Sequence, residues 1–171
     1  MKTYRIYILS LLCLYATVLF AQNNSDRIMF GAGALYEKGF DVTLSWEHET
    51  EHHNAWEYFL NAYLKYADDP LAGHVTSDSF WNNYNTWSGG VAYKMCVVRC
   101  KNSYGTIRLG GSIGSDTYDF KGWINLGYEH DYALRHGWQL FWQVKTDFGI
   151  GTKDLLRSGV VLGIKVPLSK F

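Results

Sequence analysis

Residues 138–148, WQLFWQVKTDF, contain the pattern that decides the fold of this chain. Apolar side chains predominate at the even positions, including Trp142 and Phe148, and polar side chains predominate at the odd positions, including Lys145 and Asp147. A repeat of two residues is that of a β-strand, in which successive side chains point to opposite faces of the sheet. The segment is therefore predicted to be a strand with one apolar and one polar face.

The same alternation recurs along the chain and predicts eight strands in all. They fall within residues 28–36, 40–49, 56–66, 87–97, 106–113, 123–132, 138–148 and 160–168. Because most of the connections are short, the strands favour an antiparallel up-and-down meander. An even number of strands puts both chain ends at one end of a barrel, and the long connection at 67–85 then falls at the opposite end.

The composition of the two faces distinguishes a membrane barrel from a soluble one. Aromatic residues make up 17% of the chain, and only 2 residues are proline. The apolar faces carry large side chains, whereas the opposite faces combine charged residues with glycine, alanine, serine and threonine. A soluble barrel would bury its large apolar side chains in the lumen and present charges to water. The predicted fold is all-β: an eight-stranded antiparallel transmembrane β-barrel with an OmpA/OmpX-like layout.

Residues 1–21 are predicted to be a signal peptide. Lys2 and Arg5 precede an apolar run, and Ala21 is the small residue expected before the cleavage site. The barrel domain would then comprise residues 22–171. An uncleaved membrane anchor is the alternative, but a run of about 15 apolar residues is short against the roughly 20 that a spanning helix needs. Export of a barrel predicts a location in a bacterial outer membrane.

Aromatic side chains concentrate near the ends of the predicted strands. They are Trp46, Trp56, Tyr66, Trp87, Tyr132 and Trp138. Aromatic girdles at the two lipid–water interfaces are typical of membrane barrels, although aromatic residues are also simply good strand formers. The chain ends in Phe171, and a terminal aromatic on an amphipathic last strand resembles the signal read by the outer-membrane assembly machinery. Membrane lipid and that machinery are therefore expected partners.

The polar faces carry charges of both signs, which are predicted to meet in the lumen. The predicted network consists of Glu57, Lys65, Lys94, Arg108, Glu129, Asp131, Lys145, Asp147 and Lys165, and Asp41, Glu47 and Glu49 share its faces. An eight-stranded barrel leaves an interior only wide enough for side chains, and charges removed from water must be paired. A packed plug is therefore expected rather than a conducting pore.

Other kinds of chemistry find little support in the sequence. The 16 basic and 16 acidic residues balance, so no direct contact with nucleic acid is expected. His48, His52 and His53 lie at a predicted turn among acidic residues, where solvated charge is the ordinary state, and no metal or cofactor is predicted. A lipid-modifying enzyme would need an outward Ser and His pair, and His130 has no hydroxyl nucleophile beside it on its strand. No catalytic residue is assigned.

Two cysteines, Cys96 and Cys100, remain after the predicted signal peptide. In one extended strand they would lie roughly 13 Å apart, well beyond the disulfide limit of about 7 Å. A bridge between them therefore requires the chain to turn.

Four segments of the chain resemble a known family. They are NAWEYFLNAYLKY at 54–66, TWSGGVAYK at 86–94, RLGGSIGS at 108–115 and GVVLGIKVPL at 159–168. The order and spacing of Trp56, Gly89, Gly90, Gly110, Gly111 and Gly163 in these segments resemble the TraO family of conjugative-transposon proteins from Bacteroides-type bacteria. The chain departs from the family in its short first loop at 37–39 and in its tail at 169–171.

The resemblance implies an outer-membrane component of a conjugal transfer apparatus, related to type IV secretion systems, with other apparatus proteins as partners. The family carries over no catalytic residue. The alternative is a general small outer-membrane barrel for envelope integrity or surface adhesion, with the long connection at 67–85 as its contact surface.

Overall fold

The computed structural model describes residues 25–36, 39–65, 86–115, 120–150 and 155–168. Within these ranges, the side chain of Lys65 is not described. The predicted signal peptide, Tyr66 and Phe171 lie outside the described residues.

Eight strands form one closed antiparallel barrel in the order β1 to β8, and β8 pairs with β1. The strands are β1 (Asp26–Leu35), β2 (Gly39–Glu49), β3 (Ala55–Lys65), β4 (Thr86–Arg99), β5 (Ser103–Ser115), β6 (Phe120–Ala133), β7 (Gln139–Ile150) and β8 (Leu156–Pro167). This confirms the predicted eight-stranded antiparallel barrel. Among the described residues, no helix is long and apolar enough to cross a membrane.

The two ends of the barrel differ in their connections. The end that carries Asp26 and Pro167, here called the terminal end, also carries the turns at 50–54, 100–102 and 134–138. The opposite end, here called the loop end, carries the other four connections. Starting at Asp26 and moving from each residue to its partner on the next strand, one passes all eight strands and returns to β1 at Tyr36. The strands are therefore staggered by ten residues over one full circuit of the barrel. This stagger tilts the strands and leaves a narrow interior.

Exposure alternates along the strands, as a barrel with distinct faces requires. On β8 Leu162 is 63% exposed, whereas its neighbour Val161 is 1% exposed. Val161 packs with Met29 and Phe141 in a small apolar cluster inside the lumen. Large apolar side chains thus cover the outside, and the inside is largely polar.

Glycines face the larger aromatic side chains of the lumen. A Cβ added at Gly163 would lie 2.5 Å from the ring of Phe141, and one added at Gly90 would lie 2.6 Å from the ring of Phe59. These rings occupy space that a side chain on the facing strand would otherwise fill. The inward glycines are therefore required for packing.

Two turns at the terminal end share one backbone geometry. His52 and His136 both have positive φ, 64° and 63°, in short 3₁₀ turns that join β2 to β3 and β6 to β7. Each turn is closed by the same hydrogen bond, from Thr50 N to Asn54 O at 2.6 Å and from Leu134 N to Trp138 O at 2.8 Å.

A β-bulge interrupts the pairing of β4 with β5 between Cys96 and Val98. Cys96 is half-buried in β4, and Cys100 is exposed just beyond the strand end. Both are free thiols.

Candidate functional site

Four buried side chains form a closed ring of alternating charge near the terminal end of the lumen. Glu47 Oε2 accepts hydrogen bonds from Lys94 Nζ and Lys165 Nζ, each at 2.8 Å. Glu129 Oε1 accepts from the same two ammonium groups, at 2.8 Å from Lys94 and 2.7 Å from Lys165. Each ammonium therefore lies between two carboxylates, and each carboxylate between two ammonium groups. We call these four residues the charge ring.

Strand geometry explains why these four residues meet. Glu47 lies on β2, Lys94 on β4, Glu129 on β6 and Lys165 on β8, so the charge ring takes one residue from every second strand. Inward side chains of neighbouring strands in a tilted barrel lie at different heights, and those of alternate strands come together in layers. The charge ring is such a layer.

Further charges extend the charge ring on both sides. Asp131 accepts a hydrogen bond from Lys165 at 3.0 Å, and Glu57 lies 3.4 Å from Lys94 Nζ. Arg108 Nε donates to Glu57 at 2.6 Å, and its guanidinium lies 4.3 Å from the centre of the Phe59 ring.

At the terminal mouth of the lumen, Arg27 bridges two carboxylates. It donates to Glu47 at 3.3 Å and lies 2.5 Å from Glu49. The network thus reaches from the charge ring to the rim of the barrel.

A second polar cluster lies toward the loop end. Lys145 pairs with Asp41 and lies 3.7 Å from Asp147, which accepts a hydrogen bond from Asn125 at 2.7 Å. Beside this cluster, the guanidinium of Arg157 lies 4.3 Å and 5.3 Å from the ring centres of Tyr63 and Trp123.

The lumen leaves little space around these groups. Glu129 is 0% exposed, and Lys94 and Lys165 are each 1% exposed. Two internal spaces, one near each cluster, have volumes of about 20 and 10 Å³. A water molecule needs a volume of roughly 10–15 Å³, so each space fits a water molecule or so. The described part of the lumen is packed by its own side chains.

The structure places eight of the nine predicted lumenal charges inside the barrel, and the ninth is Lys65, whose side chain is not described. The sequence-based prediction omitted Arg27 and Arg157. It began the first and last strands at residues 28 and 160, whereas β1 begins at Asp26 and β8 at Leu156. Had the alternation been extended outward, parity with Met29 and Val161 would have placed both arginines inside.

The predicted girdle residues that are described lie on the outer surface. Trp56, Tyr132 and Trp138 are exposed at the terminal end, and Trp87 is exposed near the loop end. Trp46, which is half-buried, stacks on Tyr58 with ring centres 5.3 Å apart.

Other rings extend the aromatic band at the terminal end. Trp56 lies 4.9 Å from Tyr93, and His130 stacks on Trp142 with ring centres 5.8 Å apart. We call the outward rings of the terminal end the terminal belt, which consists of Trp46, Trp56, Tyr58, Tyr93, Tyr128, His130, Tyr132, Trp138 and Trp142.

Two histidines near the terminal end contact carboxylates. Nδ1 of His48 lies 2.6 Å from Asp26, and Nδ1 of His53 lies 2.5 Å from Glu49. Within the described ranges, His, Cys, Asp and Glu side chains do not form a group of three or more that could hold a metal ion.

No protein-family model and no curated protein matches the chain. Solved structures do match. A major outer membrane protein from Thermus thermophilus is 13% identical, with a TM-score of 0.58 over 86% of this chain and 100% of that one. Neisserial surface protein A is 17% identical, with a TM-score of 0.55 over 84% and 94% of the two chains. A de novo designed transmembrane β-barrel is 11% identical, with a TM-score of 0.57 over 86% and 98%. The chain therefore has the fold of outer-membrane barrels.

Proposed function

We propose that this protein spans a bacterial outer membrane as a closed, non-enzymatic barrel and that it anchors a conjugal transfer apparatus there. The charge ring is the observation on which the closed lumen rests. The role in conjugation rests on the resemblance of the four sequence segments to the TraO family.

The outer surface supports insertion in a membrane. Leu60, Ile113, Ile150 and Leu162 are each more than 60% exposed and lie on the middle or loop-end half of their strands. Exposed apolar surface on this scale is unfavourable in water and favourable against acyl chains. Membrane lipid is accordingly the first proposed partner.

The charge ring argues against a channel. An ion crossing the lumen would have to separate Lys94 and Lys165 from the two carboxylates that they share. Separating buried charges leaves each without a partner in a region of low polarizability, which costs several kcal/mol. DNA would therefore travel by another route, and the barrel would contribute position and stability to the apparatus.

Planar bilayer recordings test the closed lumen. We expect the refolded parent barrel to show no large, stable conductance. Replacing Lys94 and Lys165 together with methionine removes both cations of the charge ring, and we expect rare openings from that variant if it folds. A large steady conductance from the parent would contradict the closed lumen.

Gene deletion tests the proposed role. Loss of the gene should lower the frequency of conjugal transfer, and supplying the gene in trans should restore it. If transfer is unchanged while detergent sensitivity or adhesion changes, the protein is a general envelope barrel. A change in the mass spectrum of lipid A on deletion would instead indicate a lipid-modifying enzyme.

A further inference from the structure

The turns at the terminal end expose more positive than negative charge. Among the described residues of these turns and of the strand end at Arg99, the exposed cations are Arg99, Lys101 and Arg135, and Glu51 is the exposed anion. The nearby carboxylates of Asp26 and Glu49 already have partners in His48, Arg27 and His53. The three cations, here called the basic rim, are therefore left to act on whatever lies outside the barrel.

Well-defined turns carry the basic rim. Arg99 donates a hydrogen bond from its guanidinium to the carbonyl oxygen of His52 at 2.9 Å, which links the turn after β4 to the turn after β2. Arg135 lies in the turn closed by the bond from Leu134 N to Trp138 O. The guanidinium of Arg99 and the backbone at Arg135 thus have defined positions on the rim.

The terminal belt follows the basic rim directly along the barrel axis. In the hairpin of β6 and β7, Arg135 lies between Tyr132 and Trp138, both of which are exposed. Tyr and Trp rings favour the glycerol and carbonyl region of a lipid leaflet, and cations favour the phosphate layer outside it. The order of basic rim, belt and aliphatic band matches the order of layers in a phospholipid leaflet.

The outward aromatics near the loop end have a different character. Those that the structure describes there are Tyr36, Phe40, Trp87, Phe120 and Phe148, and three of these five are phenylalanines, which carry no polar group. Rings with hydrogen-bonding groups are therefore concentrated at the terminal end, where the exposed cations lie.

We propose that the basic rim binds the phosphate groups of anionic phospholipids in the leaflet that surrounds the terminal end. This inference rests on the proposed insertion in a membrane. An acidic protein segment could also meet the cations, but lipid is favoured because one leaflet offers phosphate groups to the cations and an interfacial layer to the adjoining belt.

The test compares urea unfolding in two kinds of vesicle. One is pure phosphatidylcholine, and in the other about a quarter of the lipid is phosphatidylglycerol. We expect the unfolding equilibrium constant of the parent to be about tenfold lower, or lower still, in the anionic vesicles. The reason is that each Lys or Arg near an anionic lipid surface is attracted to it and so stabilises the inserted barrel. High salt should remove the difference by screening.

Two matched variants separate charge from side-chain identity. The triple variant R99Q/K101Q/R135Q should lose most of the difference between the vesicles, and R99K/K101R/R135K should keep it. Full retention by the glutamine variant, or equal unfolding of the parent in both vesicles, would overturn the proposal.

Other outcomes have distinct meanings. If the parent shows no heat-modifiable band after exposure to either vesicle, insertion itself has failed, and the proposed function is lost with it. If the parent inserts, ignores phosphatidylglycerol and binds a polyglutamate peptide in a salt-sensitive way, the basic rim serves an acidic protein and the lipid assignment is wrong.

Discussion

At the scale of single residues, depth in the membrane should determine the cost of an outward charge. Leu162 lies at the middle of β8 and is 63% exposed, whereas Leu168 lies just beyond its terminal end. Leu162→Arg should destabilise the barrel by about 2–4 kcal/mol, and Leu168→Arg by about 0–1 kcal/mol, since arginine near the interface reaches water. Urea unfolding in lipid vesicles measures both. Equal stability of the parent, Leu162→Arg, Leu162→Ala and Lys145→Ala would show that the faces are assigned wrongly.

The charge ring makes a second prediction at this scale. Lys94→Met leaves Glu47, Glu57 and Glu129 buried with one cation fewer, so we expect a loss of about 3–5 kcal/mol in the free energy of unfolding. Adding Glu129→Gln removes one of the excess carboxylates, and the double variant should recover part of that loss. A double-mutant cycle by urea unfolding measures the coupling. If Lys94→Met unfolds at the same urea concentration as the parent, the buried carboxylates do not need the Lys94 ammonium group for their stability.

At the scale of elements, β1, β7 and β8 depend on inward glycines for their packing. Gly163→Ala would drive a methyl group into the Phe141 ring and the backbone oxygen of Phe30, so we expect a loss of about 1–3 kcal/mol. Gly111, which faces outward on β5, is the control without a steric clash, because a Cβ there meets only the backbone oxygen of Trp123, at an ordinary 3.8 Å. Gly111→Ala should change stability little. Thermal and urea unfolding of both variants test this, and equal effects would mean that the Phe141 ring and the backbone at Phe30 both shift at little cost.

At the scale of the whole molecule, the lengths of the connections predict which end of the barrel faces the periplasm. Short turns of outer-membrane barrels face the periplasm and longer loops face outward. In a Cys96→Ser variant, the remaining exposed Cys100 lies on the terminal side. A membrane-impermeant maleimide should therefore label it only after the outer membrane is permeabilised. With both cysteines replaced by serine, Tyr36→Cys at the loop end should be labelled on intact cells, as Tyr36 is 92% exposed. The reverse labelling pattern would show that the terminal end, and not the loop end, faces the outside of the cell.

Much of the architecture follows from the sequence because the β alternation is local. Whether Lys145 or Trp142 points inward depends only on parity along its own strand. Strand number, the closed antiparallel topology and the polar interior could therefore be predicted from segments such as residues 138–148. Errors arose at the strand ends, where turn residues blur the alternation, and these errors concealed the inward positions of Arg27 and Arg157.

The sequence of a single strand does not determine which charged side chains contact one another. Lys165 and Glu47 are separated by 118 residues, and they touch because eight strands close with one particular stagger. No single strand contains that stagger: it comes from every pairing around the barrel together. The pairing of Phe141 with Gly163 and the bulge between Cys96 and Val98 depend on register in the same way. The sequence by itself determined the face on which each side chain lies, because one strand sets that. Only the tertiary structure decided its partners, because barrel closure sets the relative heights of all eight strands.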